Sequence, residues 1–196
     1  MRIALFLPHV GVFGGVRRYL ELGNEWVAMG HAVTLFHPAG HPPAWLPFAG
    51  ATQPTAQAAH DTSDLAICGD SRSFAAFRAH TSNRHVYYCV LEGDPGLALA
   101  MADPAVTLMA NSGPLRRELA ARMSQPVLDG IGGIRPTTFR PDPAQRRDAP
   151  LRVLVNGRRS RAKKGTDLVL RALSGLVGRV PAFETVLFDA VDPETN

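Results

Sequence analysis

Short apolar runs alternate along the chain with segments whose apolar residues recur at helical spacing. Residues 3–7 form a continuous apolar run, which is typical of a strand buried on both faces of a sheet, and residues 32–36, apolar except for Thr34, predict the next strand. Between them, residues 16–30 place apolar side chains on one helical stripe, and Gly30 is a plausible helix stop. A loop with three glycines, PHVGVFGG, separates the first strand from this helix. The pattern predicts a right-handed βαβ unit.

The alternation of predicted strands and helices continues along the chain with shorter elements. Strands are predicted over residues 64–68, 85–91 and 106–110, and residues 126–131 close the first half. Helices are predicted over residues 73–80 and 114–123, the second capped by Asn111 or Ser112. Residues 38–60 and 92–104 are interpreted as loops. Further on, a strand over 151–157, a helix from Gly165 with Thr166 or a neighbour as its cap, and a strand over 183–189 begin another βαβ unit.

These elements predict an α/β protein with a doubly wound, Rossmann-like parallel sheet and an incomplete second α/β unit. The boundaries are residues 1–131 for the first domain, 132–150 for a linker rich in proline and glycine, and 151–196 for the start of a second domain. A complete second sheet would need on the order of 100–150 further residues. We therefore expect a truncated second domain and, if the protein is an enzyme, a fragment that is inactive on its own. Strand pairing through the open edges of the second sheet makes a homodimer an alternative.

Composition and charge narrow the class of protein. Apolar residues make up 45% of the 196 residues, and no apolar run reaches the ~18 residues of a membrane span. The start reads as a strand rather than a signal peptide, and the two cysteines have no CxxC spacing. We therefore expect a cytoplasmic protein without a bound metal.

The positive charge of the chain is concentrated in one segment. Residues 140–164 hold nine Arg or Lys residues and two Asp residues. Since the whole chain has 21 basic and 17 acidic residues, the other positions hold 12 basic and 15 acidic residues.

The basic segment ends in Lys163 and Lys164, the only two lysines of the chain. Arg158 follows a strand, and Lys164 stands directly before Gly165 at the start of a predicted helix. Cations on both sides of a loop that leads into a helix N-terminus suit a diphosphate group. The alternative is a solvated basic turn.

Glycines also precede the first predicted helix. Gly14 and Gly15 let the backbone approach a ligand and offer free N–H groups, with a plain tight turn as the alternative. The stretch does not match GxGxxG, so it does not indicate a dinucleotide cofactor.

Further candidates lie where predicted strands end or in the loops. Asp70 and Glu92 follow strands and are candidate bases or hydrogen-bonding groups for an acceptor hydroxyl, although turn or capping roles are the alternative. His9, Arg17 and Trp45 are candidates on the acceptor side. Trp45 would stack on a sugar ring, with a plain loop anchor as the alternative, and an ordinary loop residue is the alternative for His9.

Four segments together resemble a GT-B fold glycosyltransferase of the family 4 type. They are FGGVRRYLELGNEWVAMGHAVTLF (13–36), GGIRPTTFRP (132–141), VNGRRSRAKKGTDLVLRAL (155–173) and HVYYCVLEGD (85–94), the last similar to a rhamnosyltransferase-like subgroup. The chain departs from the family pattern at Arg135, where an aspartate is usual, and in a loop before Lys164 that is one residue longer. The family's Glu-x7-Glu segment is absent.

The resemblance implies retaining transfer of a sugar from a nucleotide-diphosphate sugar, which is a substrate, with no cofactor and no required metal. It implies that Arg158 and Lys164, or Lys163 because of the longer loop, hold the donor diphosphate, with Gly14 and Gly15 facing the phosphate or acceptor. The acceptor would be a glycan or a lipid-linked sugar, reached at the inner face of the membrane by peripheral contact. A non-catalytic glycan- or protein-binding module is the alternative. Nucleic acid is not expected, because aromatic residues do not interleave with the basic ones.

Overall fold

The computed structural model describes residues 1–90, 93–136, 138–141, 150–157 and 164–188. The chain divides into two compact units, Met1–Ile134 (unit 1) and Arg135–Asn196 (unit 2). The protein is an α/β protein, as the sequence predicts, and its main sheet lies in unit 1.

Unit 1 contains a seven-stranded, entirely parallel sheet in the order β3-β2-β1-β5-β7-β8-β9. Two further two-residue strands, β4 and β6, pair with each other beside it. Counted along the chain, the seven strands run 3-2-1-4-5-6-7, so the order reverses between β1 and β5, and this reversal is the switch point of a doubly wound fold. The strands are β1 (Arg2–Phe6), β2 (Ala32–His37), β3 (Ala51–Pro54), β4 (Thr62–Ser63), β5 (Leu65–Cys68), β6 (Thr81–Ser82), β7 (His85–Cys89), β8 (Val106–Ala110) and β9 (Leu128–Asp129).

Helices cover both faces of this sheet. One apolar cluster contains Val16, Tyr19 and Leu20 of the first helix, together with Trp45 and Phe48 of the loop after β2. The other cluster contains side chains from the three later helices. Both clusters bury strand side chains, which explains why the strands read as continuous apolar runs. The helices of unit 1 are α1 (Gly14–Ala28), α2 (Phe74–Ala79), α3 (Pro95–Ala102) and α4 (Gly113–Arg122), with a 3₁₀ helix at Thr55–His60.

Two segments interpreted as loops contain regular structure, so those predictions are wrong. Residues 38–60 include β3 and the 3₁₀ helix, and residues 92–104 include α3. Helix α3 has Asp94 as its N-cap, whose carboxylate accepts a hydrogen bond from Gly96 N at 2.8 Å, and Pro95 lies in its first turn. It lies between β7 and β8, as a crossover helix does, and it has no polar face. A helix stripe was therefore not visible in its sequence.

Unit 2 is a smaller βαβ arrangement. Strands β10 (Leu151–Asn156) and β11 (Phe183–Phe188) pair in parallel, and α5 (Thr166–Ser174) lies between them in the chain. Thr166 is buried, and its hydroxyl donates to the carbonyl oxygen of Asn156 at 2.7 Å. The N-cap of α5 is therefore not Thr166 but its neighbour Gly165.

Candidate functional site

The carboxyl ends of β1 and β5 meet at the switch point, where ligands bind in sheets of this kind. The loop after β1 leads through His9 into α1, and the loop after β5 begins with Gly69 and Asp70. His9, Gly14, Gly15 and Asp70, which the sequence singled out, thus follow two adjacent strands. Glu92 lies outside the described residues.

The N-terminus of α1 consists of two exposed glycines that the fold does not require. Among the described residues, a Cβ added at Gly14 would meet no atom within 4 Å, and one at Gly15 would lie 3.9 Å from Val90 Cγ2, at ordinary contact distance. Neither residue has a positive φ. Phe13 occupies the N-cap position, and its phenyl ring has no hydrogen-bond acceptor for the first amides of the helix. Backbone and space are therefore open to a ligand at this helix end.

Asp70 is held as a turn residue at the end of β5. Its Oδ1 accepts hydrogen bonds from the amides of Arg72 at 3.0 Å and Ser73 at 2.9 Å. Burial raises the pKa of this carboxyl above its ordinary value, against the lowering effect of those bonds, and the charge of nearby Asp94 raises it further. Oδ1 is committed to the turn, and a raised pKa makes the carboxylate a stronger proton acceptor.

A tyrosine cluster beneath this edge was not found from the sequence. Tyr87 Oη donates to Asp94 Oδ1 at 3.3 Å, and Tyr88 Oη donates to the carbonyl oxygen of Gly130 at 2.7 Å. The hydroxyl of Tyr19, from α1, is fully buried and has no hydrogen-bond partner among the described residues. It packs against Gly69, where an added Cβ would lie 2.3 Å from the Tyr19 hydroxyl. Only the YY pair in β7 could have drawn attention to this cluster, and it reads as ordinary strand sequence.

The remaining acceptor-side candidates mainly hold the loops together. Trp45 is half-buried, and its Nε1 donates to the carbonyl oxygen of Val10 at 2.7 Å, which anchors the loop after β2 on the loop after β1. His9 Nδ1 accepts from the amide of Gly11 at 3.2 Å, and its ring packs against Phe13 with centroids 4.9 Å apart. Arg17 Nε pairs with Glu21 Oε1 at 2.9 Å.

In unit 2 a cation stands at the start of a helix. Lys164 is exposed and directly precedes Gly165, whose φ of 67° places it in the left-handed region that favours glycine. The hydroxyl bond from Thr166 to Asn156 fixes the first turn of α5 at the carboxyl end of β10. Arg158 and Lys163 lie outside the described residues. The ammonium of Lys164 and the first amides of α5 together form a positive end suited to a phosphate group.

No model of a known protein family matches the chain, and no curated protein matches it either. Within the described residues, no three His, Cys, Asp or Glu side chains are grouped so that they could hold a metal ion. No helix in the described ranges is long and apolar enough to cross a bilayer.

Proposed function

We propose that the protein works as a glycosyltransferase of the GT-B, family 4 type, which moves a sugar from a nucleotide-diphosphate donor to a glycan or lipid-linked acceptor. In this proposal unit 2 binds the donor diphosphate, and the carboxyl edge of the unit 1 sheet receives the acceptor. The observation that carries the proposal is the start of α5, where exposed Lys164 precedes a left-handed glycine at the end of β10.

The chemistry of donor cleavage explains why these groups are suited to the reaction. The leaving group is a nucleoside diphosphate, whose negative charge grows as the bond to the sugar breaks. Fixed amide dipoles and an ammonium group near that charge stabilise the transition state more than the ground state. Arg158 and Lys163 are proposed to supply the further positive charge. A retaining transfer of this kind needs no dedicated base, which agrees with the turn role of Asp70 Oδ1.

Calorimetric titration of the chain with UDP, GDP and dTDP tests the donor site. We expect at least one diphosphate to bind, the matching monophosphate to bind more weakly, and Lys164→Ala to weaken diphosphate binding about tenfold, as expected for a charge-assisted hydrogen bond worth about 1.5 kcal/mol. Arg179→Ala is the matched control, because Arg179 is an exposed cation of the same unit beyond the end of α5. The proposal is wrong if no diphosphate binds, or if Lys164→Ala and Arg179→Ala bind equally well.

The alternative is a glycan- or protein-binding module without catalysis. The turn role of Asp70 Oδ1 is compatible with either function, because a retaining transfer needs no dedicated base. Release of sugar or its transfer from a bound donor separates the two functions. In an active form extended past Asn196 we expect Arg158→Ala to lower turnover far more than Asp70→Ala, whereas diphosphate binding without turnover on any sugar donor by that extended form would favour the module.

A further inference from the structure

The last residues of unit 1, residues 130–134, form the segment through which the chain leaves this unit; we call it the exit segment. Its beginning is tied to the sheet. The amide of Gly130 donates to the carbonyl oxygen of Ala110 at 2.8 Å, and the hydroxyl of Tyr88 donates to the carbonyl oxygen of Gly130 at 2.7 Å. The amide of Ile131 donates to Asp129 Oδ1 at 3.1 Å. These bonds hold the chain up to residue 131.

The next residue of the exit segment meets an arginine from α1. The guanidinium of Arg18 occupies the position that a Cβ of Gly132 would take. The charge of Arg18 also lowers the pKa of Tyr88, against the larger raising effect of burial, so the guanidinium lies near the tyrosine that binds Gly130. Within the described residues, a Cβ added at the following residue, Gly133, would meet no atom within 4 Å. The close approach of Arg18 is therefore seen at Gly132 and not at Gly133.

We propose that Arg18 is a positioning residue that fixes the direction in which the chain leaves unit 1. The end of its guanidinium occupies the space of a side chain at residue 132, which explains why Gly132 is glycine although its φ is not positive. Arg18 thereby orders the exit segment up to Gly132. The inference does not depend on the proposed nucleotide site.

Backbone order parameters of Gly132 and Gly133, measured by NMR relaxation without any ligand, test this role. We expect an order parameter of about 0.85 at Gly132 in the native chain, and an order parameter below about 0.6 at Gly132 in Arg18→Ala. Gly132→Ala should lower the order parameter of Gly133 to the same extent, because its Cβ displaces the guanidinium. The double variant should lose no more order than either single variant. Arg17→Ala is the control, since Arg17 is the adjacent cation of α1 and pairs with Glu21.

The free energy of unfolding is measured for each variant, so that a local loss of order is separated from general destabilisation. Should Arg18→Ala fail to fold, Arg18→Lys carries the same expectation, because a single ammonium group cannot present the two terminal NH₂ groups of the guanidinium to Gly132. Native order at Gly132 in the Arg18 variants, or an equal loss of order in Arg17→Ala, would overturn the inference.

Discussion

Two tyrosine hydroxyls of unit 1 differ in one respect that a pair of substitutions can measure. Tyr19 and Tyr88 are both buried, and their rings pack together with centroids 5.9 Å apart. The hydroxyl of Tyr88 donates to Gly130 at 2.7 Å, whereas that of Tyr19 has no hydrogen-bond partner within the described part of the chain. Burial raises the pKa of Tyr19 well above its ordinary value, so the phenol stays protonated and has to be buried as an unpaired donor.

Removing each hydroxyl should therefore change stability in opposite directions. An unpaired buried polar group costs about 1–3 kcal/mol, so Tyr19→Phe should raise the free energy of unfolding by about 1 kcal/mol. Tyr88→Phe should lower it by about 1 kcal/mol, because a made hydrogen bond is lost. With about 2–4 °C of melting temperature per kcal/mol for a chain of this length, the two variants should melt about 4–8 °C apart. Urea unfolding, followed by circular dichroism, measures the free energy of unfolding of both variants. If Tyr19→Phe is as destabilising as Tyr88→Phe, Tyr19 has a partner and the reasoning fails.

Three further predictions concern glycines, pH and unit 2. Gly69→Ala should cost about 3 kcal/mol in urea unfolding, because its Cβ would lie 2.5 Å from the backbone oxygen of Tyr88, whereas Gly14→Ala should be neutral or stabilising by up to about 1 kcal/mol. Burial, with the charge of Arg78, lowers the pKa of His85, so its contribution to stability is present above the unfolded pKa of about 6.5 and is lost as the pH falls through the folded pKa; His85→Asn should reduce this acid destabilisation in unfolding curves between about pH 7 and 5. Amides of β10 and β11 should exchange with solvent faster than those of β1 and β7, because apolar side chains such as Leu154 remain exposed on unit 2; equal protection in both units would contradict this.

The parallel sheet could be predicted from the sequence because buried strands and a helical stripe have distinct periods. The strand over residues 106–110 is confirmed with its bounds, and α1 begins two residues earlier than its apolar stripe predicts. The elements that were missed carry weak patterns. β3, with the sequence ATQP, has no apolar run, and α3 is apolar on its exposed side, where Leu99 is half exposed, as well as on its buried side. Tertiary contacts decide β3, whereas the residues of α3 favour a helix but show no amphipathic stripe.

The candidate site could be located only to the ends of strands, because residue type does not reveal which atoms are already engaged. The sequence cannot show whether the carboxylate of Asp70 binds a substrate or its own turn. In the structure Oδ1 binds the turn, because it accepts hydrogen bonds from the amides of Arg72 and Ser73. Trp45 could be an exposed stacking platform or an anchor, and the bond from its indole to Val10 shows the anchor. The tyrosine cluster depends on β5, β7 and α1 coming together, which no local pattern encodes.

The sequence also does not show whether a glycine is required by packing or backbone geometry or serves another purpose, and here the structure separates the two explanations. Gly69 and Gly130 are required by packing, because a Cβ at either would collide with a neighbouring tyrosine and a second residue. Gly165 is favoured by its positive φ. Gly14 and Gly15 satisfy neither condition, although each glycine costs a helix up to about 1 kcal/mol relative to alanine. Packing and backbone geometry within the described residues therefore do not account for these two glycines, and a ligand that approaches the bare backbone at the start of α1 stays a prediction.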